Sequence, residues 1–164
     1  MPGKRSESTP ATTALARAGV AYAVHPYPHD PNARSFGVEA AAALGVSADR
    51  VFKTLVASVD GRLVVAVVPV SGSLNLKSLA AAVNGKRAEL TDASLVERTT
   101  GYVPGGVSPF GQRRALPTVV DETATRYATV FVSGGRRGLD VEVAPDDLVR
   151  LTGATVARIG RPAA

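Results

Sequence analysis

The chain alternates short apolar runs with polar breaks marked by Gly and Pro, and the spacing inside each run predicts its element. Thr9-Pro10 sets a capping hydroxyl before a proline at the first helical position, so a short Ala-rich helix is expected over 10–18, stopped by Gly19. A strand follows over 21–25, after which Pro26 and Pro28 keep the chain extended. Ser35 is placed to cap a second helix over 37–44 that ends at Gly45. Two Val-rich runs, 51–59 and 62–68, flank Asp60-Gly61, a strong hairpin signal. Residues 74–83 carry apolar side chains at helical spacing, and Thr91-Asp92 opens another helix expected to reach Arg98. The segment 100–111 is too rich in Gly and Pro for regular structure. Strands are expected at 118–120, 128–132 and 139–143, the last two separated by 134–138, then a helix over 145–151 and a closing strand over 154–159.

Hairpins alongside crossovers imply an α/β fold with a mixed sheet rather than a doubly wound parallel one. No internal repeat or linker interrupts the pattern. Residues 1–9 read as a disordered lead-in, and 10–164 as a single domain. A length of 164 residues is enough for one core, and 45% hydrophobic with 20% charged residues is globular composition. No apolar run approaches the roughly 20 residues that span a bilayer. Met1–Thr9 lacks the apolar stretch of a secretory signal, so a cytoplasmic location with no membrane association is expected.

The absence of cysteine excludes disulfides, thiolate metal sites and a cysteine nucleophile of the protein's own. With two histidines, a zinc site would need carboxylates to complete it, and no metal or cofactor is expected. The net charge of +5, from 19 basic and 14 acidic side chains, fits a polyanion such as RNA, although many proteins reach it with no such partner.

Four segments hold candidate chemistry. Alternation along 51–59 puts Val51, Lys53, Leu55 and Ala57 on one face, where an ammonium either snorkels to water or serves a site. The loop 101–111 contains Gly105-Gly106, which lets a ligand approach exposed backbone N–H groups, but it serves equally as a tight turn. Its Ser108 does not fit a nucleophile elbow, because the glycine spacing is one residue too long and Pro109 has no N–H to give. Ser133–Asp140 is a glycine-rich turn with Arg136 and Arg137, suited to a phosphate or merely solvated, as are Arg113 and Arg114. His25, Tyr27 and His29 alternate along an extended segment. The prolines between them forbid the helix that would pair the histidines on a metal.

In this order, HPYPHDP at 25–31, VFKTL at 51–55, TGYVPGGVSPFGQRRALPTVVD at 100–121 and VSGGRRGLDVE at 132–142 resemble the YbaK/EbsC family of aminoacyl-tRNA deacylases, from about Pro10 to Ile159. The third stretch is the most specific. The resemblance is closest to the Cys-tRNA(Pro) deacylase branch, and the editing domain inserted in bacterial prolyl-tRNA synthetases is a relative. It implies a curved, barrel-like mixed sheet flanked by helices, acting without a metal on the aminoacylated 3′ end of tRNA, alongside prolyl-tRNA synthetase. It puts the essential lysine at Lys53 and the substrate pocket at Tyr27, Thr54, Gly105, Gly106, Ser133 and Asp140. Arg136 and Arg137, with Arg113 and Arg114 as a weaker pair, are expected to meet the tRNA. His25 and His29 receive no role. The expected reaction is removal of cysteine from Cys-tRNA(Pro), with Cys-tRNA(Cys) a further candidate, assisted by the substrate's own thiol. The alternatives are a deacylase for Ala-tRNA(Pro) or another small amino acid using activated water, and a non-catalytic tRNA-binding module.

Overall fold

The computed structural model describes residues 8–33 and 35–162. Most of the lead-in expected over 1–9 therefore lies outside the described residues.

Thr9 caps α1 (Pro10–Ala18) as expected: its hydroxyl accepts from the Thr12 N–H while its own N–H donates to the Thr12 hydroxyl. β1 (Tyr22–Pro26) leads to α2 (Phe36–Leu44), capped by Ser35. β2 (Phe52–Val59) and β3 (Arg62–Pro69) form the predicted hairpin, with Asp60 at φ 50° and Gly61 at φ 84°, the pair of positive angles a tight two-residue turn requires. After β4 (Ser73–Leu74) comes α3 (Leu76–Ala82), then β5 (Ala88–Leu90), α4 (Ala93–Thr100) and β6 (Thr118–Asp121). A 3₁₀ turn over Glu122–Arg126 precedes β7 (Val130–Arg136) and β8 (Leu139–Val143). α5 (Pro145–Thr152), β9 (Thr155–Ala157) and β10 (Gly160–Arg161) complete the chain.

The strands make a five-stranded sheet, β5-β2-β3-β6-β9, a three-stranded sheet, β1-β8-β7, and the short pair β10-β4. Parallel pairing of β3 with β6 and of β6 with β9, beside the antiparallel hairpins, gives the mixed architecture expected. The sheets do not close into a barrel. One parallel bridge, Val51 to Phe131, joins the two larger sheets. The main core fills the space between them with Phe52, Val56, Val65, Val67, Val132, Val141 and Leu148, roofed by Leu15 of α1. On the far face of β2 and β3, Ala57, Val64 and Val68 pack on Leu79 of α3. A third cluster sets Ala40 and Ala41 of α2 on Val51, Val70 and Phe131.

Among the boundaries that differ from the sequence reading, three have a visible local cause. The helix expected over 74–83 begins only after Asn75, whose side chain caps it through the Ser78 N–H, while Leu74 pairs with Gly160. The strand expected to end at 132 runs on to Arg136 through a bulge between Ser133 and Arg136. The closing strand stops at Ala157, because the Ile159 and Gly160 N–H groups both donate to the Asp121 carboxylate instead of to a sheet neighbour. That buried carboxylate also accepts from the Thr123 hydroxyl and N–H. Burial pushes it up, but these hydrogen bonds prevail and hold it below the usual carboxylate range.

Candidate active site

A cleft of about 250 Å³ opens where α2, β2, the 101–111 loop and the β7–β8 hairpin meet. Tyr27, Lys53, Thr54, Gly105, Ser133 and Asp140 all line it. These residues come from five separated stretches, so the topology supplies the convergence: β2 gives adjacent Lys53 and Thr54, and Ser133 and Asp140 are cross-strand partners.

Lys53 is half-buried on the face of β2 that also carries Leu55 and Ala57. Its ammonium donates to the Gly72 carbonyl at 3.2 Å, which leaves two further N–H donors for a ligand. Burial lowers its pKa from the ordinary lysine value. Asp140 lies opposite in character. It is 5% exposed, burial alone pushes its carboxyl up to about 7, and its Oδ2 has no hydrogen-bond partner among the described residues. The Thr54 hydroxyl is also buried and unpartnered among the described residues. Two orphaned polar atoms in one cleft wall are uncommon in a folded core, where such groups are nearly always satisfied. Burial, and then the nearby Asp140 charge, push the Tyr27 phenol up to about 12, so it stays protonated and able to donate. The Ser133 hydroxyl accepts from the Gly135 N–H at 3.1 Å and keeps its own proton for the cleft.

The two glycines of the loop part company. Gly105 lines the cleft at φ 81°, and a Cβ there would stand 2.5 Å from the Phe36 ring. Gly106 does not line it: its N–H donates to the Val103 carbonyl at 2.9 Å, and a Cβ would meet the Arg136 backbone at 2.8 Å. Its bareness lets the loop lie against the β7–β8 turn. Ser108 is fully buried and accepts from the Phe110 N–H, in keeping with a structural serine.

The arginine pairs sit outside the cleft lining. Arg137 donates from Nε to the Pro104 carbonyl at 2.7 Å and lies 4.6 Å over the Phe36 ring, bracing the rim. Arg136 donates to the Arg137 carbonyl. Arg113 and Arg114 are exposed, with the Arg113 side chain folded over Gly101. His25 pairs with Glu142 at 2.9 Å and His29 with Glu39 at 2.8 Å, each beside an aromatic ring. Among the described residues no cluster of three or more His, Asp or Glu could hold a metal ion.

Sequence reading missed Phe36 and Gly37, which form the cleft wall at the start of α2. A Cβ on Gly37 would overlap Val70 at 2.2 Å. The available signal was an aromatic-glycine pair directly after the Ser35 cap.

Comparison with known proteins gives a consistent picture. The family model of the aminoacyl-tRNA editing domain matches residues 30–151. EbsC of Enterococcus faecalis, provisionally named a Cys-tRNA(Pro)/Cys-tRNA(Cys) deacylase, is 41% identical over 121 residues, 73% of each chain. A solved structure provisionally described as a trans-editing enzyme for prolyl-tRNA synthetase superposes with a TM-score of 0.82 at 28% identity, covering 94% of this chain and 98% of the other. The hypothetical protein APE2540 superposes at 0.83 with 30% identity, covering 93% of this chain and all of its own.

Proposed function

The chain belongs to the aminoacyl-tRNA editing domain family, and as an aminoacyl-tRNA deacylase of that family we propose that it removes cysteine from Cys-tRNA(Pro), with Cys-tRNA(Cys) a further candidate. One observation carries the choice of site. The cleft gathers Tyr27, Lys53, Thr54, Gly105, Ser133 and Asp140 around two buried polar atoms that await a partner.

In this reading the Asp140 carboxylate receives the substrate's α-ammonium, whose charge restores the carboxylate's ionisation. Tyr27, Thr54 and Ser133 border the short side chain. The Lys53 ammonium, seated on Gly72, turns its remaining donors to the ester and ribose oxygens, where negative charge develops. The Gly105 N–H, which has no partner among the described residues, is available to the ester carbonyl; that of Gly106 is already engaged by Val103. Residues 1–9 act as a lead-in, and the remainder is the editing domain.

The nucleophile is the cysteine thiol of the substrate. A free thiol with a pKa of about 8.5 is already a few per cent thiolate at neutral pH. Its proton passes to solvent, the sulfur bonds to the ester carbonyl carbon, and the C–O bond to the ribose breaks. The ribose oxygen takes up a proton, and cysteine leaves as a cyclic thioester that water opens. Held in one cleft, such an intramolecular attack reaches effective molarities of order 10⁵ M or more. The protein then needs no nucleophile, which accords with the absence of cysteine and the burial of Ser108. Arg136 and Arg137, with Arg113 and Arg114 as a weaker pair, meet the acceptor-stem phosphates in the cytosol, with prolyl-tRNA synthetase as the partner that delivers the tRNA. Among the described residues no helix is long and apolar enough to cross a membrane.

A second reading has one observation in its favour. A buried carboxyl raised to about 7 is also suited to a general base that activates water, which would open Ala-tRNA(Pro) to hydrolysis. Initial rates on Cys-, Ser- and Ala-charged tRNA(Pro), with and without prolyl-tRNA synthetase, decide between them. Thiol assistance requires failure on Ala-tRNA(Pro), and comparable Cys and Ala rates exclude it. Binding without hydrolysis of any ester reduces the chain to a tRNA-binding module.

A further inference from the structure

A second cleft, of about 190 Å³, lies behind the turn that seats Lys53. Gly72 links the two: its carbonyl accepts from the Lys53 ammonium, and the same residue lines the second cleft. Only glycine fits there, because a Cβ would stand 2.3 Å from the Arg161 carbonyl. Gly72 therefore stands between Lys53 and the second cleft with no side chain of its own.

The second cleft is lined by Arg126 and Arg161, both exposed, and by the half-buried Tyr127, together with Ser71 and Ser73. Neither guanidinium makes a hydrogen bond or ion pair among the described residues. This separates them from Arg137, whose guanidinium already braces Pro104 and Phe36. Of the two acids in the lining, Asp121 has its carboxylate filled by Thr123, Ile159 and Gly160, while Asp49 is exposed. Two uncommitted guanidiniums suit phosphates, an aromatic side chain that packs on the main core and also lines the cleft suits a stacked base, and an exposed carboxylate accepts from an exocyclic amino group. Together they describe a site for a single-stranded nucleotide whose base carries an amino group.

We propose that this cleft holds the single-stranded tRNA end immediately 5′ of the aminoacylated nucleotide. A base stacks on Tyr127 with its amino group toward Asp49, and the flanking phosphates lie on Arg126 and Arg161. The proposal rests on the deacylase reading of the first cleft. It adds to that reading a route for the strand, past Gly72.

The test compares kcat/KM on Cys-tRNA(Pro) and on the cysteinyl ester of adenosine, which has no nucleotide on its 5′ side. Tyr127→Leu, which keeps the apolar body of the side chain, and the surface double variant Arg126→Ala/Arg161→Ala should each lose about tenfold or more on the tRNA. Both should keep the parent's rate on the nucleoside ester, and the double variant's salt slope on tRNA should flatten by about 1.4. Equal losses on both substrates, or no loss on either, overturn the site. Should the parent hydrolyse neither ester, the deacylase reading falls, and fluorescence anisotropy of a labelled CCA-ended oligoribonucleotide decides the cleft alone. Binding weakened by the double variant supports it, and unchanged binding removes it.

Discussion

Replacing Asp140 by Asn isolates the electrostatic strain of the first cleft. The carboxyl is 5% exposed and burial raises it from 3.8 to about 7, so the folded chain holds this proton more tightly than the unfolded chain does. The stability this confers is fully present below about pH 4 and is lost as pH rises through about 7, where the native state must bury a charge. A displacement of about three pH units at ~1.4 kcal/mol each makes the loss ~4 kcal/mol, an upper bound where water enters the open cleft. Asn keeps the shape and cannot ionise. The stability of Asp140→Asn relative to the parent should therefore climb through pH 4–7 and level off above, by ~2–4 kcal/mol in all. Urea unfolding at half-unit pH steps reads this directly. With slopes of 1–3 kcal/mol per molar urea, the two midpoints should separate by roughly 1 M or more between pH 4.5 and 8. Activity should fall in the same variant, since the ammonium loses its counter-charge. Midpoints that run parallel across that range would refute the argument, because the Asp140 carboxyl would then titrate as it does in the unfolded chain.

Lys53→Ala should stay folded and lose about 10²-fold or more in deacylation rate, as removal of a transition-state contact does; near-normal turnover removes Lys53 from the mechanism. Gly105→Ala should destabilise by ~1–2 kcal/mol through its positive φ alone. It should also lower activity as the methyl displaces Phe36 from the cleft wall, and an unchanged thermal midpoint would show that the loop simply yields. Arg136→Ala/Arg137→Ala should weaken tRNA binding and flatten its salt dependence by up to about two units of slope. An unchanged slope would confine Arg137 to bracing Pro104 and Phe36.

What the sequence made legible was whatever has a local cause. Thr9, Ser35 and Asp92 announce their helices because a cap acts within four residues, and Asp60-Gly61 announces its hairpin because the turn is two residues long. Lys53 was a candidate from alternation alone, but the residues alone left it evenly poised between site and solvent. Only the resemblance to a known family joins it to Tyr27 and Asp140, which reach the same cleft from the end of β1 and from β8 in the other large sheet. β5 escaped notice because its three residues carry no alternation, and it is held from outside by the Asp60 carboxylate on the Lys86 and Arg87 N–H groups. Gly106 cannot be told from Gly105 in the sequence for a similar reason. A double glycine shows that backbone is approached closely, not whether the approaching group is a ligand or the Arg136 main chain.

The Asp121 carboxylate bears on how a mutational screen of this protein would read. It gathers Ile159 and Gly160, Gly160 pairs with Leu74, and the adjoining Gly72 abuts Arg161 while seating the Lys53 ammonium. A short relay of contacts thus connects an acid outside the first cleft to the Lys53 ammonium inside it. A screen scored on turnover alone would therefore count Asp121, Gly72 and Gly160 together with the residues of the cleft. Reversion would tell them apart: a loss at Asp121 should be recoverable by compensating changes that anchor the C-terminal segment, whereas a loss at Lys53 should have no second-site remedy.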